Sequence, residues 1–272
     1  MKIGIRAHDM GQMSLNELKE SIIKNNFDGI QLVTNKALNQ VYQTDEIKCV
    51  LEDKILMLGA YFNMVHPDQK VVLSGIKNFK KTIHVANQIG VEFVGTETGS
   101  LMGNPWGYVP ENHLDKTYNQ SKKIILELLH EAKDNQVRLA IEGAYAHVIY
   151  SPKRMKQLLQ EINHPKLKVT VDLYNFLNLE NHLNHLEIFK ECINLFSQDI
   201  VIFHLKDYVV IDQKLVQVGL GKGLMRYEEI IPIILKHNPD SYLIFEGVQG
   251  DDIKTSLTYI RDLINHFKKE DK

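Results

Sequence analysis

Four apolar runs in the second half of the chain each end in a side chain able to bind a metal ion. Val137-Arg138-Leu139-Ala140-Ile141 leads into Glu142, Lys168-Val169-Thr170-Val171 into Asp172, Ile200-Val201-Ile202-Phe203 into His204, and Tyr242-Leu243-Ile244-Phe245 into Glu246. Short runs rich in β-branched and aromatic residues, bounded by loops, read as buried strands. Only 34 Asp and Glu and 12 His stand among the 272 residues, so a metal-competent residue at the same place in four strands is not what composition alone would give. Three carboxylates and an imidazole brought together repel one another and are costly to desolvate, and a divalent cation removes that cost. Carboxylate oxygens with one imidazole suit a single Mn²⁺ best, with Mg²⁺, Co²⁺ or Zn²⁺ as alternatives, and exclude a thiolate-preferring site. The competing reading is four unrelated strand-end salt bridges or caps.

For the four residues to meet, the elements between them must bring the strand ends to one place. Lys2 to Ala7 reads as a first strand, followed by a helix capped at Ser14, with Glu17 completing a capping box and Leu15, Leu18, Ile22 and Ile23 as its inward face. Further strands are expected at Gly29 to Val33, Leu56 to Phe62 and Val91 to Val94, with helices over Thr44 to Glu52 and Val71 to Ile89, the latter closed by Gly90. Gly99 to Pro110 reads as loop, Glu111 to Asn135 as one long helix, and Pro152 to Ile162 as a helix capped by Ser151. Helices over Leu183 to Phe196, Tyr227 to Lys236 and Asp251 to about Phe267 complete the pattern, with an irregular excursion from Lys206 to Met225. Eight strands alternating with eight helices, without a linker or composition break, predict parallel βαβ units. In a chain of this length that pattern favours a closed (β/α)₈ TIM barrel, one domain over residues 1–272, above an open doubly wound sheet. The C-terminal strand ends of such a barrel open onto one face, where Glu142, Asp172, His204 and Glu246 would line one arc.

Composition narrows the partners. The chain is 44% hydrophobic and 24% charged, with no apolar run near membrane-span length, as expected of a globular protein with no membrane segment. Met1 to Arg6 reads as a strand and not as a signal segment, which places the protein in the cytoplasm. Cys49 and Cys192 are isolated within helical patterns and are expected to be buried thiols. A net charge of −2 without a basic stripe argues against nucleic acid.

The stretches Ile141-Glu142-Gly143, Val171-Asp172-Leu173-Tyr174-Asn175-Phe176-Leu177, Phe203-His204-Leu205-Lys206-Asp207-Tyr208 and Ile244-Phe245-Glu246-Gly247 resemble motifs of the xylose isomerase-like TIM-barrel superfamily, and most closely its sugar phosphate isomerase/epimerase branch. The resemblance extends over nearly the whole chain, including Gly219-Leu220-Gly221-Lys222-Gly223. It implies a metal held by Glu142, Asp172, His204 and Glu246, with the two glutamates as acid and base on either face of a sugar or sugar phosphate. A cation on a carbonyl and a neighbouring hydroxyl acidifies the adjacent C–H through an enediolate, and a carboxylate on each side can take and return the proton. A metal-dependent dehydratase of the inosose type uses the same first step and then expels a β-hydroxyl; a barrel that binds metal or sugar without turnover is the third reading. Ketose 3-epimerases of the superfamily carry an Arg shortly after the ligand His, a His three residues after the ligand Asp, and a Glu six residues after the first ligand Glu. Val210, Asn175 and Val148 stand at those places here, which sets this chain apart from them. Endonuclease IV, the nucleic-acid member, has an Asp-Arg-His triplet before its Gly-rich loop that Asp212 to Gly223 lacks.

Around this set, His66, Glu97, Trp106 and Lys206 are candidate substrate-binding residues. His66 ends strand three, Glu97 ends strand four, and Trp106 sits in a loop over the mouth as a possible apolar wall for a sugar. Lys206 follows His204 by two, hence on the same strand face, where it could offset negative charge. Asp207 is expected to face outward or cap a loop. His147 is a further loop candidate, and Gly219, Gly221 and Gly223 could offer N–H groups to a phosphate, or simply form a turn entering a helix. A homodimer is the default for such enzymes.

Overall fold

A computed structural model describes residues 1–270; the last two residues of the expected 1–272 domain lie outside the described residues. Eight parallel strands close into a barrel: β1 (Lys2–Arg6), β2 (Gly29–Leu32), β3 (Ile55–Gly59), β4 (Phe93–Glu97), β5 (Arg138–Glu142), β6 (Leu167–Asp172), β7 (Ile200–Leu205) and, after a hairpin of β8 (Asp207–Ile211) and β9 (Lys214–Val218), the closing strand β10 (Tyr242–Phe245). Hydrogen bonding runs around the ring in the order β1, β10, β7, β6, β5, β4, β3, β2. The expected (β/α)₈ barrel is therefore present.

The helices pack outside. They are α1 (Leu15–Lys24), the short α2 (Thr34–Ala37), α3 (Thr44–Leu51), α4 (Gln69–Ile89), α5 (Asp115–Glu131), α6 (Pro152–Ile162), α7 (His185–Phe196), α8 (Tyr227–His237) and α9 (Asp252–Glu270). The capping box of α1 forms as expected between Ser14 and Glu17, and Leu15, Leu18 and Ile22 are buried. Ile23 instead is 61% exposed, one position beyond the buried stripe.

Strand alternation sorts the side chains. Leu139, Ile141, Val169, Val171, Phe203, Leu243 and Phe245 join the large core between sheet and helices. Ala140, Ile202 and Ile244, each two residues before Glu142, His204 and Glu246, join a separate small cluster with Leu56, Met57 and Phe93. A period of two puts each ligand candidate on the same side as that cluster, so an apolar floor lies beneath the polar site. Close packing there explains Gly95, because a Cβ at that position would stand 2.3 Å from Met57 Cε.

Two segments differ from expectation near the mouth. The helix expected over Glu111 to Asn135 is broken: a 3₁₀ turn spans Pro110–His113, Leu114 is extended, and α5 begins at Asp115. The break is held by the buried Asn112, whose amide donates to Ser100 Oγ, Gly107 O and Ala146 O while its Oδ1 accepts from Leu101 N. The excursion after β7 folds as the antiparallel β8–β9 hairpin, turned by Asp212 (φ 48°) and Gln213 (φ 57°). Two consecutive left-handed residues make the turn that suits hairpin twist, but Asp-Gln lacks the glycine that would announce it. Cys49 is exposed and not buried as expected; Cys192 is buried.

Candidate metal centre and active site

The barrel register brings the four strand-end residues together. Asp172 on β6 stands opposite His204 on β7, and Ile244, two residues before Glu246, pairs with His204 from the other side. One ligand atom from each of Glu142, Asp172, His204 and Glu246 falls within 4.8 Å of all the others. His204 Nδ1 lies 2.9 Å from Glu246 Oε2, 3.4 Å from Glu142 Oε2 and 3.8 Å from Asp172 Oδ2. Ligand atoms about 2.1 Å from a shared ion are roughly 3 Å apart when adjacent and about 4.2 Å when opposite, so these separations fit one divalent cation. Neither ring nitrogen of the fully buried His204 has an aligned hydrogen-bond partner. Unpartnered buried polar atoms facing one point are what a cation site requires.

Protein groups hold the carboxylates around the cluster, and Lys206 also reaches Asp172 Oδ2, the oxygen nearest His204. Asn175 Nδ2 donates to Glu142 Oε1 at 2.6 Å, and Asn175 N donates to Asp172 Oδ1 at 3.1 Å. Arg6 Nη1 donates to Glu246 Oε1 at 2.7 Å. The buried Lys206 ammonium stands 2.8 Å from Glu246 Oε1 and 2.7 Å from Asp172 Oδ2, and donates to Asn175 Oδ1. Arg6 is itself clamped by Asp9, whose Oδ2 also accepts from Gly247 N. Such supports fix ligand orientation and tune affinity.

Electrostatics follow from this crowding. Burial pushes Asp172 up to about 6, with Glu142 and Glu246 adding to the rise and Lys206 opposing it. Glu246 is also buried, yet Lys206, His204 and Arg6 hold its carboxyl well below the usual range. Burial would lower His204, but Glu142 and Glu246 outweigh it and hold the imidazolium to about 10. For Lys206 the same contest ends in a raised value, through Asp172 and Glu246. Burial, then the nearby carboxylates Glu142 and Glu246, raise both the Glu97 carboxyl and the Tyr61 phenol well above their usual values.

A cavity of about 340 Å³ opens beside the cluster, lined by Glu246, Glu97 and Trp106 together with residues from β1 to β3. Glu97 and Trp106 also line a second hollow on the β5–β6 side, with His147, Asn175 and the hairpin residue Leu215. Glu97 stands opposite Glu142 in the sheet and approaches Asn175 Nδ2 at 3.5 Å. Trp106 packs edge-on against His147, ring centroids 5.7 Å apart, so both expected candidates reach the mouth. His66 lines neither cavity: its Nδ1 accepts from Asp68 N and shapes the turn into α4. The Gly-rich segment is a turn and not an anion cradle. Gly221 N and Gly223 N both donate to Asp207 Oδ2, Tyr208 N and Met225 N to Asp207 Oδ1, and Leu220 N to Ser256 Oγ. Asp207 is thus the loop cap, wrapped closely enough that a Cβ on Gly223 would meet its Oδ1.

Sequence reasoning missed Arg6, Asp9, Gln31 and Tyr61, and met Asn175 only as a departure. Arg6 does end a strand, as the ligands do. Gln31 is a fully buried amide within β2 whose Nε2 donates to Tyr61 OH, which in turn reaches Glu142 Oε2 at 3.5 Å. A polar residue inside an apolar strand was the available signal.

Among the described residues no helix is long and apolar enough to cross a membrane. The family model for the xylose isomerase-like TIM barrel matches residues 14–269. No curated protein matches the sequence. Among solved structures, a D-tagatose 3-epimerase-like protein aligns with TM-score 0.80 and 17% identity over 100% of both chains. An IOLI protein with a bound zinc atom aligns with TM-score 0.77 and 16% identity, over 98% of this chain and 99% of that one. A xylose isomerase-like TIM barrel protein from Mycobacterium smegmatis in complex with magnesium aligns with TM-score 0.72 and 16% identity, over 96% of this chain and 99% of that one. Identities this low speak for the fold alone, whereas the family match spans nearly the whole sequence: the chain belongs to the xylose isomerase-like TIM barrel family.

Proposed function

We infer that the protein is a divalent-metal-dependent isomerase or epimerase of a sugar or sugar phosphate. The observation that carries this reading is the cluster of Glu142, Asp172, His204 and Glu246, with ligand atoms within 4.8 Å of one another at the edge of a cavity sized for a small molecule. These four residues would hold the ion, Mn²⁺ being the first expectation. Bound there, a divalent ion supplies Lewis acidity to a carbonyl and its neighbouring hydroxyl, which acidifies the C–H between them.

The chain's own residues divide the remaining work. Glu142 and Glu246 come from opposite ends of the ligand arc, β5 and the end of β10, so their carboxylates can face the two sides of a bound sugar. One would accept the proton from carbon and the other return it. Lys206 and Arg6 keep Glu246 ionised, as a base requires, while Asn175 fixes the rotamer of Glu142. Tyr61, and Glu97 whenever it is protonated, can donate hydrogen bonds to substrate oxygens, and Trp106 offers an apolar wall.

A metal-dependent dehydratase is the second reading, favoured by Glu97 lining the cavity, a carboxyl that burial and its acidic neighbours make hold its proton more tightly and that could protonate a departing β-hydroxyl. The test is incubation of the metal-loaded protein with panels of ketoses, their phosphates and inososes in heavy water. Deuterium at the carbon next to the carbonyl, with an isomer or epimer as product, is the expected result. Loss of water from the substrate would favour the dehydratase, and no exchange with any compound would remove both.

A further inference from the structure

We propose that the lobe of the mouth built by β1 and β2 binds a phosphate monoester, so that the substrate is the phosphorylated form of the sugar. This deepens the functional reading above and rests on it. Two observations carry it. First, in the Gly-rich loop that could have served a phosphate, the amides of Leu220, Gly221, Lys222 and Gly223 are already spent on Ser256, Asp207 and the Gly219 carbonyl. Second, the lobe on the other side of the metal site presents unspent donors. Lys36 lines it and makes no ion pair among the described residues. His8 lines it with a buried, unpartnered Nδ1, and Asn35 and Asn78 add side-chain amides.

The acids in this lobe do not oppose an anion. Both oxygens of Asp9 are neutralised by the Arg6 fork and Gly247 N, and Glu246 is turned to Arg6, Lys206 and His204. Burial, with Arg6 and Lys36 adding to it, lowers His8 to about 4. Gln31, fully buried, lines the same cavity as this patch and Glu246, and its Oε1 has no hydrogen-bond partner. An acceptor for a hydroxyl followed by a cluster of cation and N–H donors matches a polyhydroxy chain ending in phosphate. The hollow on the β5–β6 side also carries a lysine, Lys214, but its other walls include Ala144, Leu177, Leu179 and Leu215.

The test reads binding and not turnover. Inorganic phosphate is titrated into the metal-loaded protein, followed by calorimetry and by the ring resonances of His8, for wild type, Lys36→Gln and Lys214→Gln, with acetate as a second probe. Saturable binding that moves His8, weakens about tenfold or more in Lys36→Gln and is unchanged in Lys214→Gln is expected. No saturable binding, equal binding by Lys36→Gln, loss in Lys214→Gln, or acetate binding as tightly as phosphate would each overturn the assignment. Because neither probe is a substrate, absence of sugar exchange would sink the functional reading without touching this result, and the reverse also holds.

Discussion

The two halves of the barrel mouth are built on different rules. On the arc of β5, β6, β7 and β10, every strand delivers one short, metal-competent side chain at its C-terminal end, and the barrel register alone brings the four together. On the arc of β1 to β4 the polar groups are Arg6, Gln31, Tyr61 and Glu97, which differ in type, length and position along their strands. The first arc is a set of four groups that could hold a metal ion. The second touches it at both ends, Arg6 at Glu246 from the neighbouring strand β1 and Tyr61 at Glu142 from beyond β3. A uniform set of strand-end groups therefore sits on one side, and a mixed set of polar groups around the cavity on the other.

The largest effect should come from breaking the ligand arc. Glu142→Gln is expected to lower hydrogen exchange into substrate by about 10²–10⁴-fold, measured in heavy water, since it removes both a ligand and a proton carrier. Arg6→Gln, on the opposite arc, should leave the ion bound and cost far less.

Lys206→Met sharpens the comparison through stability. Lys206 is buried between Asp172 and Glu246, so its loss leaves two carboxylates without their cation. Removing one partner of a buried pair costs about 3–5 kcal/mol, and the metal-free variant should unfold at correspondingly lower denaturant. Added Mn²⁺ should recover much of that loss, which a purely structural lysine would not show. Asn175→Ala is next: freeing Glu142 Oε1 should weaken metal affinity or activity by about 10–100-fold. The smallest effect is expected for Trp106→Ala, which should raise KM severalfold with little change in kcat if the ring only lines the cavity, as comparison of the two constants would show.

The same division decides what could be read from the sequence. Apolar runs ending in Glu142, Asp172, His204 and Glu246 announce both the strands and their purpose, because a period of two fixes which way a strand-end residue points. Lys206 followed by the same rule, two residues after His204. Asn175 could not be assigned a contact in advance, since its amide reaches Glu142 from a 3₁₀ turn whose path depends on the whole β6–α7 connection. Arg6 and Glu246 stand 240 residues apart in sequence and meet only because β1 closes the barrel against β10. His66 shows the opposite error: it follows a strand signal, but the chain turns away after β3, and the side chain is spent on Asp68. The β8–β9 hairpin was hidden by an Asp-Gln turn, and the broken helix before α5 by a buried asparagine whose partners lie in other loops.

The central claim is that the four strand ends form one metal site, and metal analysis tests it most directly. Purified protein and the Glu142→Gln/Glu246→Gln variant would be compared for bound divalent metal and for thermal stability with added Mn²⁺, Co²⁺, Mg²⁺ and Zn²⁺. About one ion per chain is expected in the wild type, and at a hundredfold excess over Kd a stabilisation of about 2.7 kcal/mol, both lost or strongly weakened in the variant. A wild-type protein that binds none of the four ions, with an unmoved melting temperature, would contradict it and return Glu142, Asp172, His204 and Glu246 to the role of strand-end ion pairs.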